Sequence, residues 1–339
     1  MIGTTISVLA MNRSETLKQT IEAILKYAAP PYEIVIVDNG STEVETINYL
    51  NSIKDKVSII TNEKNLGLSI GTNQGLEYGS YDFLIHLDDD CLIQQPGWNQ
   101  IMRSYISDPN IGMVVPGVYN EPIRHEKYFE LKWGLGMCYG MHRDIFDKIG
   151  GYDPQLYHQN ECDMALRVRM MGLHVAGILD FSAIHNDPGG PRSAISIARE
   201  RIGCVQFRDK WTSYFKGLNW NYGTDPIYLM QHWPPDEEFM RRWALQQGVN
   251  INPAPELIGT DATSYWDQLD AFSGRQILEI SGGRYLIHRT LRNDYTHWEH
   301  QNNPGAYTRD RDSIIKDWYE LTGELYQGYT WKYSALKVN

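Results

Sequence analysis

Three consecutive carboxylates, Asp88, Asp89 and Asp90, directly follow the largely apolar run FLIHL at positions 83–87. Like charges held a few ångström apart repel one another and disfavour ionisation, and a bound divalent cation offsets that cost. Side chains alternate along an extended backbone, so Asp88 and Asp90 are predicted to face one side and share one ion, with Asp89 facing elsewhere. Carboxylate oxygens suit Mg²⁺ or Mn²⁺. Taken alone, the tripeptide is equally typical of a solvated acidic turn.

The acids stand in a region whose sequence alternates between strand and helix patterns. In chain order these are the strand ISVLAM, the helix SETLKQTIEAILKYA with Ser14 as its N-cap, the strand EIVIVD, a helix over 43–53, the strand VSIITN, a helix over 69–78 and the strand DFLIHL. This alternation predicts an α/β fold with a mostly parallel central sheet and helices on both faces. Ligands bind beyond the carboxyl ends of such strands, so Asp38, which ends its strand, is predicted to share one crevice with Asp88.

The pattern changes in the second half of the chain. A strand (GMVVPGV), a polar loop, a strand with a short helix and a Gly-Gly turn, a helix over 161–171 and the strand HVAGIL continue the first domain. Beyond them the segments PPDEEFMRRWALQQG and SIIKDWYELTGELY are amphipathic and predict helices. We therefore predict an α/β domain over residues 1–190 and a mainly helical C-terminal extension over 191–339.

Composition narrows the class of protein. The 339 residues are 42% hydrophobic and 22% charged, as is typical of a soluble globular protein, and the net charge of −11 argues against a surface devoted to nucleic-acid phosphates. There is no apolar run of roughly 18 residues to span a bilayer and no signal-peptide pattern, which predicts a cytoplasmic protein without a membrane span. Four scattered cysteines predict reduced, buried thiols rather than a zinc site or disulfides.

Six segments together resemble the family 2 glycosyltransferases with a GT-A fold, over roughly residues 3–190. In chain order they are VLAMNRSETL, IVDNGST, NEKNLGLSIGTNQGLEYG, FLIHLDDD, GGYDPQLYHQNECDMALRVRMMG and AIHNDPGG. The resemblance implies a Rossmann-like nucleotide-diphospho-sugar transferase, which moves a sugar from a nucleotide-sugar donor to an acceptor hydroxyl with Mn²⁺ or Mg²⁺. It also implies inversion at the anomeric carbon and a donor that is most often a UDP-sugar.

The resemblance implies a binding role for residues of the first two turns. Asp38 would bind the uracil-like base, and the turn carrying Ala10, Asn12 and Arg13 would line the pocket for base and ribose. The other interpretation of Asp38 is a local turn in which its carboxylate accepts a backbone N–H bond.

Two further segments are implied to lie near the donor. Asn65 and Gly67, followed by Asn73, Gln74 and Gly75, resemble the segment that packs beside it, although the glycines are explained equally by close helix packing. Arg192 would contact the diphosphate if the loop before it closes over the donor.

For the metal, the resemblance implies Asp90 as a direct ligand, with Asp88 sharing the ion and Asp88 or Asp89 touching ribose and sugar. His185 matches a histidine that some members supply as a further ligand. A histidine that follows an apolar strand is as often a structural group with satisfied hydrogen bonds.

The catalytic base is implied by a motif that departs from the family pattern. The usual Glu-Asp-x-Asp is Asn160, Glu161, Cys162 and Asp163 here. Glu161 stands where the basic aspartate is expected, and a carboxylate of either length can take a proton from an acceptor hydroxyl. Asp163 is the second catalytic candidate, and its other role is to orient the helix start or to pair with Arg167.

The acceptor is a glycan or another hydroxyl-bearing molecule, and its binding residues are less well defined. The stretch with Gly134, Gly136 and Gly140 resembles the acceptor-side wall, although strand packing explains the same glycines. Aromatic candidates for a groove in the extension are Trp220, Trp233 and Trp266. Two other functions stay open: a sugar-phosphate nucleotidyltransferase, which normally needs a glycine-rich basic loop that AMNRSETL does not provide, and a non-catalytic nucleotide-sugar-binding module.

Overall fold

The computed structural model describes residues 3–117, 123–131, 134, 136–186, 194–217, 276–280, 283–287 and 311–327. Two compact units divide the chain at residues 192–193. The first unit contains the central sheet and all the acids singled out above.

Within the described residues, the first unit is built on a nine-stranded sheet in the order β3-β2-β1-β4-β9-β6-β10-β8-β7. Its strands are β1 (Thr4–Ala10), β2 (Tyr32–Asp38), β3 (Ser58–Thr61), β4 (Phe83–Asp88), β6 (Ile111–Pro116), β7 (Ile123–Arg124), β8 (Phe129–Leu131), β9 (Cys138–His142) and β10 (His174–Ile178). The helices are α1 (Ser14–Tyr27), α2 (Val44–Ile53), α3 (Leu68–Tyr78), α4 (Trp98–Tyr105), α5 (Arg143–Ile149) and α6 (Asn160–Met170). A separate two-stranded ladder joins β5 (Cys91–Leu92) to β11 (Ile184–His185).

The predicted parallel arrangement is confirmed for the first half of the sheet. Strand β1 runs parallel to both β2 and β4, with Ala10 opposite Asp38 and Leu9 opposite Asp88. The carboxyl ends of these three strands therefore meet at one edge, which we call the donor edge. Strand β9 departs from the prediction because it lies antiparallel between β4 and β6, so the sheet as a whole is mixed.

Strands β1, β2 and β4 are buried on both faces along most of their length, as their continuous apolar runs require. Residues Ile6, Val8, Ile36 and Ile85 belong to the main hydrophobic cluster, and α3 packs against β1 at close range. A Cβ atom added at Gly75 of α3 would lie 2.0 Å from the Ser7 Oγ. This geometry supports helix packing, rather than donor contact, as the reason for that glycine.

The predicted N-cap of α1 is wrong by one residue. The helix begins at Ser14, Arg13 is the N-cap residue, and no side chain caps this helix end. The Arg13 carbonyl accepts bonds from the Leu17 N–H and the Thr16 hydroxyl. Because Ser14 is already inside the first turn, its hydroxyl is not placed to cap the free N–H groups.

In the second unit the structure describes α7 (Ala194–Gly217), a hairpin of β12 (Gln276–Ile280) and β13 (Gly283–Ile287), and α8 (Arg311–Thr322). The last helix confirms the amphipathic pattern predicted there, and Ile202 and Val205 of α7 pack with Ile314 and Trp318 of α8. The hairpin was not predicted. The segment predicted as a helix over 234–248 and the residues Trp220, Trp233 and Trp266 lie outside the described residues.

Across the part of the chain that the structure describes, no helix is both long and apolar enough to cross a membrane. All four cysteines are buried and form no disulfide, as predicted.

Candidate active site

The three acids lie where β4 ends at the donor edge. Asp88 is the last residue of β4, and Asp89 and Asp90 form the turn into β5. Asp89 and Asp90 are buried, whereas the Asp88 side chain is 33% exposed. Two buried carboxylates beside a third need compensating positive charge or a cation.

His185 joins two of these acids. One ligand atom each from Asp88, Asp90 and His185 lies within 4.8 Å of the others. The Nε2 of His185 is 3.2 Å from the Asp90 Oδ1, and this buried oxygen accepts no hydrogen bond from any residue that the structure describes. The set of two carboxylates and one imidazole, aimed at one point, fits a divalent cation such as Mn²⁺ or Mg²⁺.

The short β5–β11 ladder holds His185 in this position. His185 pairs with Cys91, the residue after Asp90, and the Asn186 N–H donates to the Asp90 carbonyl at 2.7 Å. The Asn186 side chain also donates to the Gln19 Oε1 of α1 at 2.6 Å. Backbone pairing therefore holds His185 beside Asp90.

Arg13 pairs with two of the acids, a contact that the sequence did not predict. Its guanidinium lies 3.3 Å from the Asp89 Oδ1 and 2.6 Å from the Asp90 Oδ2, so it pairs with the acids at the donor edge. Burial raises the pKa of Asp89 to about 7; the charge of Arg13 opposes this rise, and the charges of Asp90 and Asp88 add to it. Arg13 thus offsets part of the repulsion among the three carboxylates.

The sequence prediction missed His86. This buried residue lies on β4 two positions before Asp88, and its Nε2 is 3.1 Å from the Asp88 Oδ1. Burial raises the pKa of Asp88. The His86 hydrogen bond and the charges of His86, His185 and Arg13 together outweigh that effect, so the pKa of Asp88 is lowered. The available signal was a histidine inside an apolar strand, on the same face as the acid.

Asp38 forms the local turn that was its alternative interpretation. Its Oδ1 accepts a bond from the Ser41 N–H at 2.9 Å, and the residue is buried. Asn12, in a left-handed conformation at φ 53°, accepts bonds on its Oδ1 from the N–H groups of Thr42 at 2.7 Å and Glu43 at 3.0 Å. Asn12 therefore ties the turn after β1 to the turn after β2. Both turns are held rigidly beside the acids.

Asn39 organises the loop before α3 and was not singled out from the sequence. Its Oδ1 accepts bonds from Asn62 Nδ2 at 3.1 Å and Leu66 N–H at 3.0 Å. Its Nδ2 donates to Asn65 Oδ1 at 3.1 Å and to the Gly67 carbonyl at 3.2 Å. Asn65 and Gly67 are thus placed at the donor edge by one buried amide.

Glu161 lies in the first turn of α6, and its carboxylate is close to the backbone of Gly136. A Cβ added at Gly136 would lie 3.5 Å from the Glu161 carboxylate. Burial chiefly raises the pKa values of Tyr139 and Tyr152, and the charges of both Asp88 and Glu161 add to the rise. The carboxylates of Glu161 and Asp88 therefore act electrostatically on the same two tyrosines.

The family model described as glycosyl transferase family 2 matches residues 5–162, which contain the three acids, Glu161 and all of the central sheet except Thr4 and strand β10. These residues are a family 2 glycosyltransferase domain. A glucosyl-dolichyl phosphate glucuronosyltransferase from Haloferax volcanii is 23% identical over 241 residues, 63% of this chain and 76% of that protein. A poly-beta-1,6-N-acetyl-D-glucosamine synthase from Staphylococcus aureus is 29% identical over 114 residues, and the match spans only 27% of the synthase.

Solved structures confirm the GT-A fold of this glycosyltransferase. The mannosyltransferase PcManGT from Pyrobaculum calidifontis, in complex with GDP-Man and Mn²⁺, has a TM-score of 0.51 at 15% identity, over 81% of this chain and 77% of that one. GalNAc-T7 with UDP, GalNAc and Mn²⁺ has a TM-score of 0.52 at 17% identity, over 74% of this chain and 55% of that one. At these identities the likeness establishes the fold.

The second catalytic candidate of the glycosyltransferase, Asp163, forms a buried ion pair with Arg167. It is fully buried, and its Oδ2 lies 2.7 Å from an Arg167 nitrogen. Arg167 also donates to the Ile149 carbonyl at the end of α5. This geometry supports an orienting role for Asp163 in holding α6, rather than proton transfer.

We expect Asp163→Asn to destabilise the glycosyltransferase domain by about 3–5 kcal/mol, because removing one partner leaves the buried Arg167 charge uncompensated. Denaturant unfolding followed by circular dichroism measures the change. Asp144→Asn is the matched control, since Asp144 is exposed and its loss is expected to change stability by less than about 0.5 kcal/mol. Equal stability of the two variants would contradict the orienting role.

Two further predictions concern the glycines of the acceptor-side wall and Arg192. A Cβ at Gly140 would lie 2.6 Å from the Phe83 ring, and one at Gly134 would lie 3.0 Å from the Met113 side chain, so packing accounts for both glycines. Arg192 lies outside the described residues.

Proposed function

We propose that this chain transfers a sugar from a nucleotide-diphosphate donor to an acceptor hydroxyl, with inversion at the anomeric carbon and with Mn²⁺ or Mg²⁺ bound by Asp88, Asp90 and His185. The observation that carries the proposal is the convergence of these three ligand atoms within 4.8 Å at the donor edge of a family 2 domain. Mn²⁺ is present in the two solved structures of similar fold, one with GDP-Man and one with UDP.

The donor is proposed to lie across the turns after β1 and β2. The Asp38 Oδ1 accepts a bond from the Ser41 N–H, and we propose that the Asp38 carboxylate also accepts a hydrogen bond from an N–H of the base. We propose a UDP-sugar, with a GDP-sugar as the competing donor because guanine also presents N–H groups. When bound, the cation supplies positive charge that stabilises the diphosphate as it leaves.

Glu161 is proposed as the base. Its carboxylate takes the proton of the acceptor hydroxyl as the acceptor oxygen bonds to the anomeric carbon and the bond from that carbon to the diphosphate oxygen breaks. The acceptor is proposed to be a glycan or another hydroxyl-bearing molecule that binds beside Glu161, where Gly136 has no side chain to contact the Glu161 carboxylate. A catalytic carboxylate here favours an enzyme over a module that only binds nucleotide-sugars.

The arrangement of Arg13 disfavours nucleotidyl transfer to a sugar phosphate. That reaction needs positive charge on a triphosphate near the N-terminal turn, and the one basic residue of AMNRSETL is paired with Asp89 and Asp90. No described contact favours this reaction over sugar transfer.

A panel of UDP-, GDP- and other nucleotide-sugars tests the proposal by thermal unfolding with and without Mn²⁺. We expect one donor class to raise the melting temperature only when Mn²⁺ is present, because a ligand at 100 times its Kd stabilises the folded state by about 2.7 kcal/mol. That donor should also release nucleoside diphosphate slowly in water. Release of pyrophosphate from a nucleoside triphosphate and a sugar phosphate, without stabilisation by any nucleotide-sugar, would falsify the proposal.

A further inference from the structure

A second group of metal-ligating side chains lies away from the donor edge, on the β7–β8 hairpin and the strand beside it. His125 is in the hairpin turn, Glu130 is in β8 and His174 is the first residue of β10. One ligand atom from each lies within 4.8 Å of the other two, and all three residues are half-buried. No step of sugar transfer proposed above uses them.

The spacing of the ligand atoms suits a small tetrahedral ion. The Glu130 Oε2 is 3.0 Å from the His125 Nε2 and 3.8 Å from the His174 Nε2. Zinc bonds to imidazole and carboxylate of about 2.0–2.2 Å at tetrahedral angles separate two ligands by roughly 3.3–3.5 Å. The two observed distances lie on either side of that value, so small side-chain movements would accommodate the ion.

Tyr128 orients both imidazoles. Its hydroxyl is 2.5 Å from the Nδ1 of His174, which turns the opposite nitrogen, Nε2, toward Glu130. The His125 ring stacks on the Tyr128 ring with 4.6 Å between centroids and 13° between planes. Metal-bound histidines are commonly held through their second nitrogen in this way.

Backbone pairing fixes the three ligands to one another. The His125 N–H donates to the Tyr128 carbonyl and closes the hairpin turn, and Glu130 is paired with Ala176 of β10, two residues from His174. Burial lowers the pKa of Arg169, and the charge of Glu130 opposes that change, so Arg169 and Glu130 interact electrostatically. The positive charge of Arg169 also repels a cation, so the bonds from the three ligands must outweigh that repulsion.

The group is at the opposite end of the sheet from the donor edge. Strand β10 runs parallel to β6, and both β6 and β4 run antiparallel to β9, so β10 and β4 point the same way. His174 is at the start of β10, whereas Asp88 is at the end of β4. A metal here could not be the one proposed for the donor.

We propose that His125, Glu130 and His174 form a separate Zn²⁺ site that fastens the β7–β8 hairpin to the edge of the central sheet. Two imidazoles and one carboxylate favour Zn²⁺ over Mg²⁺, and the fourth position is filled by water. The site holds two elements of the fold together and stands independently of the proposed transfer reaction.

The test counts Zn²⁺ bound per full-length chain after chelator treatment, with excess Mg²⁺ to occupy the donor edge. We expect one Zn²⁺ per chain that persists in Asp90→Asn and is lost in His125→Gln and in His174→Gln. Co²⁺ in place of Zn²⁺ should give the visible absorption of a tetrahedral site in the same proteins. Tyr128→Phe should weaken Zn²⁺ binding by about 10-fold or more.

Matched controls come from the same parts of the fold. Glu126→Gln changes an exposed acid in the same turn as His125, and His142→Gln changes a half-buried histidine at the end of β9; both variants should bind Zn²⁺ as the wild type does. Metal-free circular dichroism spectra establish that the variants are folded. The proposal is overturned if the wild type binds no Zn²⁺ beyond that lost in Asp90→Asn, or if His125→Gln and His174→Gln, both folded, bind Zn²⁺ as tightly as the wild type.

Discussion

Asp90→Asn is expected to lower kcat/KM for sugar transfer by about a thousandfold or more. Asp90 contributes a buried oxygen to the group with Asp88 and His185, and no described residue donates a hydrogen bond to it. Loss of that charge removes several kcal/mol of stabilisation of the leaving diphosphate, and each 1.36 kcal/mol corresponds to a tenfold change in rate. The measurement is the initial rate of nucleoside diphosphate release as a function of Mn²⁺ concentration.

Comparing the activity of Asp90→Asn with its thermal stability distinguishes a metal ligand from an acid that only stabilises the fold. Asparagine keeps the size of the side chain and a carbonyl oxygen for Arg13, so thermal unfolding in metal-free buffer should change little compared with the loss of activity. Asp180→Asn alters an exposed acid that accepts a bond from Tyr105 and has no role in the proposed site, so this variant should keep full activity. Equal rates and equal Mn²⁺ dependence in Asp90→Asn and the wild type would exclude Asp90 as a ligand.

Glu161→Gln is expected to lower kcat by about 10²- to 10⁴-fold, the contribution typical of a positioned base, with little change in the KM for the donor. Glutamine fills the same space beside Gly136 but cannot accept the proton of the acceptor hydroxyl. Steady-state kinetics with a saturating acceptor measure the change.

Two comparisons sharpen the assignment of the base. Glu161→Asp retains a carboxylate of the length usual in the family and should recover part of the activity lost in the glutamine variant. Asp163→Asn should instead act through stability, because Asp163 is paired with Arg167 inside α6. If Glu161→Gln kept at least a tenth of the wild-type kcat, another group would have to be the base.

The edge of the sheet that carries the proposed donor site could be predicted from the sequence, because continuous apolar runs separated by helical segments specify parallel strands. Once the strands are parallel, their carboxyl ends coincide, and Asp38 and Asp88 must be neighbours across β1. The position of β9 could not be predicted in the same way. Its sequence fits a buried strand of either direction, and only its neighbours β4 and β6 determine that it runs antiparallel.

The partners of individual side chains were harder to predict. Arg13 contacts acids 76 and 77 positions later, and helical or strand spacing cannot reveal such pairs. The interaction of His86 with Asp88 is local and could have been found, since both lie on one face of β4. The role of His185 rested on family resemblance, because its ladder with β5 joins segments far apart in sequence.

The β5–β11 ladder also bears on the order in which the site assembles during folding. The sheet around β1, β2 and β4 is linked by short crossovers, whereas Asn186, next to His185, bonds to a residue of α1 that is 167 positions earlier. Contacts between distant segments form late, because the loop they close costs entropy before it gains stabilisation. A growing chain would thus present Asp88 and Asp90 before their imidazole partner arrives. A metal bound by all three ligands would bind as β11 pairs with β5, and it would slow the dissociation of these two strands.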